Sequence, residues 1–239
     1  MTAFELAVQD AHGAAVAQRV GADRMELATA LSTGGLTPSA ALIERAVATG
    51  VEVHVLVRPR EGGFDYDAAE RELIVADVGR AVGFGAAGVV IGGLRAGAVD
   101  ADLVRDALVA AGGREVTFHR AFDQLADPCS ALEQLVGLGV TRVLTSGAAP
   151  SAADALAALR GLVERAAGRI QIMAGAGVTS ANAAEIAATG VDAVHASAKR
   201  TVTERLAVSL GAAAAAGTVS YATTDEREAA ALRGILKPG

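Results

Sequence analysis

The sequence predicts an α/β protein, a single parallel eight-stranded (β/α)8 barrel of the TIM-like type, on three observations. First, the chain repeatedly passes a glycine and enters a short β-branched run within one to three residues. These runs are GADRMEL from Gly21, GVEVHVLV from Gly50, GAAGVVIG from Gly85, GREVTFH from Gly113, GVTRVLT from Gly139, GRIQIMA from Gly168 and GVDAVHA from Gly190. Second, these starts lie 22 to 35 residues apart, the length of one βα unit, and FELAV from Phe4 supplies an eighth strand. Third, a helix-like stretch precedes each glycine, which then acts as the left-handed cap from which the chain turns into the next strand. The competing fold, an open doubly wound sheet, usually carries GxGxxG after its first strand, where this chain has VQDAHGAAVAQ.

In order, FELAV leads to the helix AAVAQRV, RMEL to ALIERAVAT, VEVHVLV to ELIVADVGRAVGF and GVVI to LVRDALVAA. VTFH then leads to ALEQLVGL, RVLT to ALRGLVERAA and IQIMA to AAEIAAT. The eighth strand, AVHA, is followed by a stretch of weak pattern, about 201–218, expected to be a long final loop or mobile arm. TTDEREAAALRGIL closes the chain as a helix capped by Thr or Asp. No Pro/Ser-rich linker or charge block divides residues 1–239, so one domain is expected.

Composition narrows the function. The chain is 52% hydrophobic but only 3% aromatic, with no Trp, so its core must be built from Ala, Val, Leu and Ile. The net charge is −6 without a dense basic run, which excludes nucleic acid as a partner. Cys129 is the only cysteine, so neither an intramolecular disulfide nor a CxxC motif can form. MTAFELAVQD lacks a basic leader, and LGAAAAAGTV is too short to span a bilayer, so a cytoplasmic protein without a membrane partner is expected. No organic cofactor is expected.

Parallel barrel strands are usually apolar on both faces; several here are not. Glu5 alternates with Phe4 and Leu6, Glu26 with Met25 and Leu27, His119 with Phe118, and His195 with Val194 and Ala196. In VEVHVLVRPR, valines form one face and Glu52, His54, Leu56 and Arg58 the other. Side chains alternate with period two, so the apolar set should meet the helices and the polar set the barrel axis. Arg24 and Glu52 open their strands and are expected to form a structural ion pair at the barrel bottom. Function belongs at the strand ends, where Glu26, Arg58, Arg60, His119, Arg120, Asp123, Ser146 and His195 fall.

These types suggest acid/base chemistry on a small anion. The candidate catalytic groups are Glu5, Glu26, His54, His119 and Asp123. Arg58 and Arg60, stiffened by Pro59 and followed by Gly62 and Gly63, could grip a carboxylate or phosphate, with Arg120 and Ser146 nearby in the reading. Gly175 and Gly177 after the seventh strand, with His195 and Ser197 at the eighth, match the loops that often hold phosphate in barrels. Schiff-base chemistry is disfavoured, because Lys199 lies beyond the last strand. Cys129 sits at an expected helix start after Asp127 and Pro128, where it reads best as an ordinary, partly buried thiol.

ELAVQDAHGAAVAQRVGADRMEL, GGLTPS, HVLVRPREGGFDY, VTFHRAFD, RVLTSGAAPSA and GAGVTSANAAEI together resemble the CutC family, named for copper homeostasis. The resemblance runs from about Phe4 to Ser197. It implies a cytoplasmic, self-associating barrel, a homo-oligomer, with a pocket including Glu5, Glu26, His54, Arg58, Arg60, His119, Arg120, Asp123 and Ser146. It also implies copper as a ligand. Many relatives carry cysteines where this chain has Ala7 and Ala28, and Cu(I) prefers sulfur donors; no metal-ligand set is therefore assigned. Two readings stand: a copper-homeostasis protein that binds or buffers copper, and a barrel enzyme acting on a small carboxylated or phosphorylated metabolite.

Overall fold

The computed structural model describes residues 2–208 and 217–237. In chain order its elements are β1 (Ala3–Val8), α1 (Ala11–Val20), β2 (Arg24–Leu27), α2 (Ala40–Val47), β3 (Glu52–Leu56), α3 (Ala68–Gly83) and β4 (Gly88–Ile91). There follow β5 (Leu94–Arg95), β6 (Ala98–Val99), α4 (Ala101–Ala110), β7 (Glu115–Phe118), α5 (Pro128–Leu138), β8 (Arg142–Thr145), α6 (Leu156–Ala166) and β9 (Gln171–Ala174). The last are α7 (Ala183–Ala187), β10 (Ala193–Ala196), β11 (Lys199–Arg205), β12 (Thr218–Thr224) and α8 (Glu226–Leu236).

Strands β1, β2, β3, β4, β7, β8, β9 and β10 pair in parallel around a closed barrel, β10 returning to β1. All eight coincide with the β-branched runs of the sequence. The seven glycines that announce strands adopt left-handed φ between 65° and 96°, the conformation their role as caps requires. Helix starts are fixed by acidic or hydroxyl caps: Asp10, Ser39, Asp67, Asp100, Asp127 and Asp225 each accept a backbone N–H of the first turn.

The core lies between strands and helices. Phe4, Leu6, Val8, Met25, Leu27, Val53, Val55, Phe118 and Ile172 pack there with helix residues such as Val16, Ile74, Leu103 and Leu132. The alternate residues occupy the barrel axis and make two small apolar clusters, Ala28–Leu56–Val90 and Leu144–Met173–Ala193. Between these lie buried charges.

The stretch expected to be a loose loop is partly built. Residues 199–205 and 218–224 form an antiparallel ribbon, β11–β12, in register from Lys199↔Thr224 to Arg205↔Thr218. Gln9 Nε2 ties it to the barrel through Ala222 O (2.7 Å). The rest of that expectation, 209–216, lies outside the described residues. No described helix is long and apolar enough to cross a membrane.

The expected Arg24–Glu52 pair is replaced. Arg24 Nε donates to Glu5 across the neighbouring strand, and its Nη2 lies 3.6 Å from Met173 Sδ. Glu52 instead meets His54 Nε2 at 3.2 Å. The N-terminal end of the barrel is closed by Arg142, 1% exposed, which donates to Glu115 (2.7 Å), Thr117 (3.0 Å) and Gln171 (2.8 Å).

Candidate active site

The polar side chains of the axis divide into three levels. Lowest are Glu52, His54 and Glu115, with His54 Nε2 at 3.2 Å from one carboxylate and 3.6 Å from the other. His54 thus sits toward the N-terminal end, below the pocket in which the family resemblance places it. Gly88 makes room for its ring: a Cβ there would lie 2.6 Å from Cε1.

The middle level is a charged quartet. Glu5 is fully buried and shared between Arg24 Nε and His195 Nδ1 (2.8 Å). Burial alone would raise the Glu5 carboxyl, but Arg24 and the hydrogen bond from His195 hold it well below the usual range. Glu26 is 5% exposed, and its Oε2 has no hydrogen-bond partner. Burial pushes its carboxyl up to about 7; His195 opposes this and the Glu5 charge adds to it. Burial lowers the His195 imidazole, but Glu26 and the Glu5 contact outweigh it and the net shift is upward. Glu5, Glu26 and His195 each offer a donor atom within 4.8 Å of the others, and Glu52, His54 and Glu115 do the same below.

The upper level contains His119 and the loops. His119 Nδ1 accepts the Ala121 N–H (3.1 Å), so a neutral ring carries its proton on Nε2, which has no partner. Burial, then the Arg58 charge, pushes His119 down to about 3. It is a neutral donor at physiological pH, which corrects its assignment as an acid/base group. Phe64 lies over it, ring centroids 4.8 Å apart. Phe64 also lines an open depression of about 540 Å³, together with Gly62, Gly63, Leu94 and Gln124.

The arginine clamp is not assembled. Arg58 donates to the carbonyls of Thr33 (3.0 Å), Gly35 (2.9 Å) and Gly62 (2.9 Å), knitting two loops together. Arg60 is held by Glu70 and by the carbonyls of Gly63 and Asp65. Asp123 is also a clasp: it accepts from Arg120 Nε (2.8 Å), the Thr145 hydroxyl, and the N–H groups of Ser146 and Ala148. Ser146 Oγ sits between Arg120, Asp123 and Ala149 O. Part of the glycine-rich phosphate cradle is likewise engaged. Gly175 N–H donates to Thr145 O, and a Cβ on Gly177 would meet Ser151. Ser180, at the turn into α7, is capped by Glu228. Ser197 is half-buried, and Cys129 is exposed rather than partly buried.

Sequence reading missed Arg142 and Phe64. Arg142 was available from the two-residue period, since it shares parity with Ser146. Phe64 was the aromatic directly after the two glycines of its loop.

Fold and site define a class: a (β/α)8 barrel with a charged axis and a mouth rimmed by tethered loops. A family model described as the CutC family matches residues 2–200. The family protein CutC of Pasteurella multocida is 42% identical over 199 residues, 82% of each chain. The human copper homeostasis protein cutC homolog is 38% identical over 242 residues, 98% of this chain and 89% of its own length. The crystal structure of a CutC protein from Streptococcus agalactiae superimposes with a TM-score of 0.78 at 32% identity, over 82% of this chain and 99% of that one. The chain belongs to the CutC family.

Proposed function

We propose that this protein serves copper homeostasis, the role for which its human relative is named, and that the barrel interior is a proton-transfer pocket for a small polar metabolite. One observation carries the pocket: Glu26 presents a buried, unpartnered carboxyl oxygen beside the Glu5–His195 pair. A carboxyl raised to about 7 can both accept and release a proton near neutrality. Arg120, its side chain 43% exposed, is the cation we assign to a carboxylate or phosphate on the ligand.

The copper role is drawn from the family. The donors do not fit Cu(I), which prefers thiolate and thioether sulfur. Ala7 and Ala28 supply none, Cys129 is exposed on α5, and Met173 Sδ already receives Arg24. Glu5, Glu26 and His195 suit a harder ion, yet Glu5 is held by Arg24 and His195.

Anaerobic Cu(I) titration against a weak chelator tests this directly. No stoichiometric uptake is expected; tight one-to-one binding lost in a Glu26→Gln variant would replace the proton-transfer reading with a copper site. The same reading makes the protein cytoplasmic and self-associating, to be checked by cell fractionation and light scattering.

A further inference from the structure

We propose that Glu26 and His119 act together on one small carbonyl compound, Glu26 moving a proton on the carbon beside the carbonyl while His119 Nε2–H holds the carbonyl oxygen. This rests on the proton-transfer pocket and names its substrate class.

The geometry begins with two orphans. Glu26 Oε2 and His119 Nε2 are both buried without a protein partner, and leaving such groups unpaired is costly unless something else meets them. One is an acceptor when ionised. The other can only donate, because the Ala121 N–H occupies Nδ1. By the two-residue alternation of their strands, both stand on the axial face of the barrel. In the register His195 pairs with Glu5 and Glu5 with Arg24, yet Glu26, two residues further along β2, shares the cluster with His195. The level therefore climbs about one residue per strand, as a barrel of shear 8 requires. Glu26 pairs with His54, His54 with Gly88 and Gly88 with Glu115. Three strands of climb bring Glu26 level with Phe118, the residue before His119, on strands three apart around the closed barrel. Ala7, paired with Glu26, and Ala28 keep the wall beside the carboxyl short. Phe64 packs against His119 and also lines the open depression, which makes it the way in that we assign.

The chemistry balances without an added reagent. The Glu26 carboxylate takes the proton from the carbon next to the carbonyl. The C–H electron pair becomes the C=C bond, and the carbonyl π pair moves onto oxygen. His119 donates a hydrogen bond to that oxyanion and keeps its proton. The proton then returns from Glu26 to carbon, and exchange of the Glu26 proton with water marks the turnover. A carboxylate base opposite a neutral imidazole donor is a known solution for such proton abstraction, and the low proton affinity of His119 keeps it in the donor form.

The test uses hydroxyacetone in D2O at neutral pD, followed by proton NMR. The wild-type protein is expected to speed deuteration beside the carbonyl at least ~10-fold over buffer. Glu26→Gln should abolish the effect, and His119→Leu should bring the rate most of the way back to that of buffer. His119→Gln, which keeps an N–H donor, should recover part of it, and the ¹⁵N signal of His119 Nε2–H should shift on adding hydroxyacetone. No acceleration by the wild type, or equal acceleration in a folded His119→Leu variant, overturns the proposal. The ¹³C titration of the Glu26 carboxyl separates the two readings. A midpoint near 7 without exchange removes this inference and leaves the pocket, whereas a midpoint at the ordinary carboxylate value removes both.

Discussion

Glu5 illustrates how a carboxylate survives on a barrel axis. It is fully buried, and both of its oxygens are engaged, one by Arg24 and one by His195. Removing one member of such a cluster strands the others as uncompensated charge. Glu5→Gln is therefore expected to cost about 3–5 kcal/mol in urea denaturation; a loss below about 1 kcal/mol would show that Arg24 finds another partner. Glu26 behaves oppositely, because its folded carboxyl sits near 7 against 4.5 for the free group. The folded state binds the proton more tightly, so Glu26 withdraws stability as pH rises from about 4.5 to 7, by roughly 3 kcal/mol. Glu26→Gln mimics the protonated form and should be more stable than wild type at pH 8 but equal to it at pH 4. The direction of these side chains was legible in the sequence, since strict alternation assigns a face. Their partners were not. Period two says that Arg58 points inward but cannot say that the carbonyls of Thr33, Gly35 and Gly62 will be waiting for it.

At the scale of elements, the local signals were strong where each had one cause. Gly caps marked seven of the eight barrel strands and an apolar alternate face marked the eighth, because a barrel strand must be short, apolar toward the helices and reached through a turn. The β11–β12 ribbon left no such mark. Most of its residues are exposed on both faces, so no burial pattern constrained KRTVTER or TVSYATT. Its seat on α1 depends on Gly13, where a Cβ would lie 2.8 Å from Thr224 Oγ1 and 2.9 Å from Val8 Cβ. Alanine is ordinarily the better helix former, yet Gly13→Ala is expected to destabilise by about 1–3 kcal/mol through overpacking. A raised melting temperature would mean that the ribbon shifts freely. Asp225→Ala removes the cap that accepts from Arg227 and Glu228 at the start of α8. It should cost about 1 kcal/mol, read in the same thermal melts.

For the molecule as a whole, the buried titrating groups set a pH profile. His119 is pushed down to about 3 from 6.5, so its folded form resists a proton that the unfolded chain accepts. That contribution, roughly 5 kcal/mol, is complete above about pH 6.5 and is lost as pH falls toward 3. The lowered Glu5 carboxyl adds loss in the same direction below about 4.5. Glu26 runs against both between about 4.5 and 7, and the raised His195 gives up its contribution as pH climbs through its folded value. Stability should therefore be level between about pH 5 and 6.5, fall steeply in acid and decline gently above neutrality. Urea denaturation from pH 3 to 9 checks this; a maximum above pH 8 would contradict it. His119→Gln should flatten the acid limb.

Arg142 has a consequence for traffic. With its guanidinium wedged among Glu115, Thr117 and Gln171, the barrel is a cup with a floor. Anything handed along the axis from one end of the protein to the other would have to displace this guanidinium, which favours the rim as the route into and out of the acidic centre.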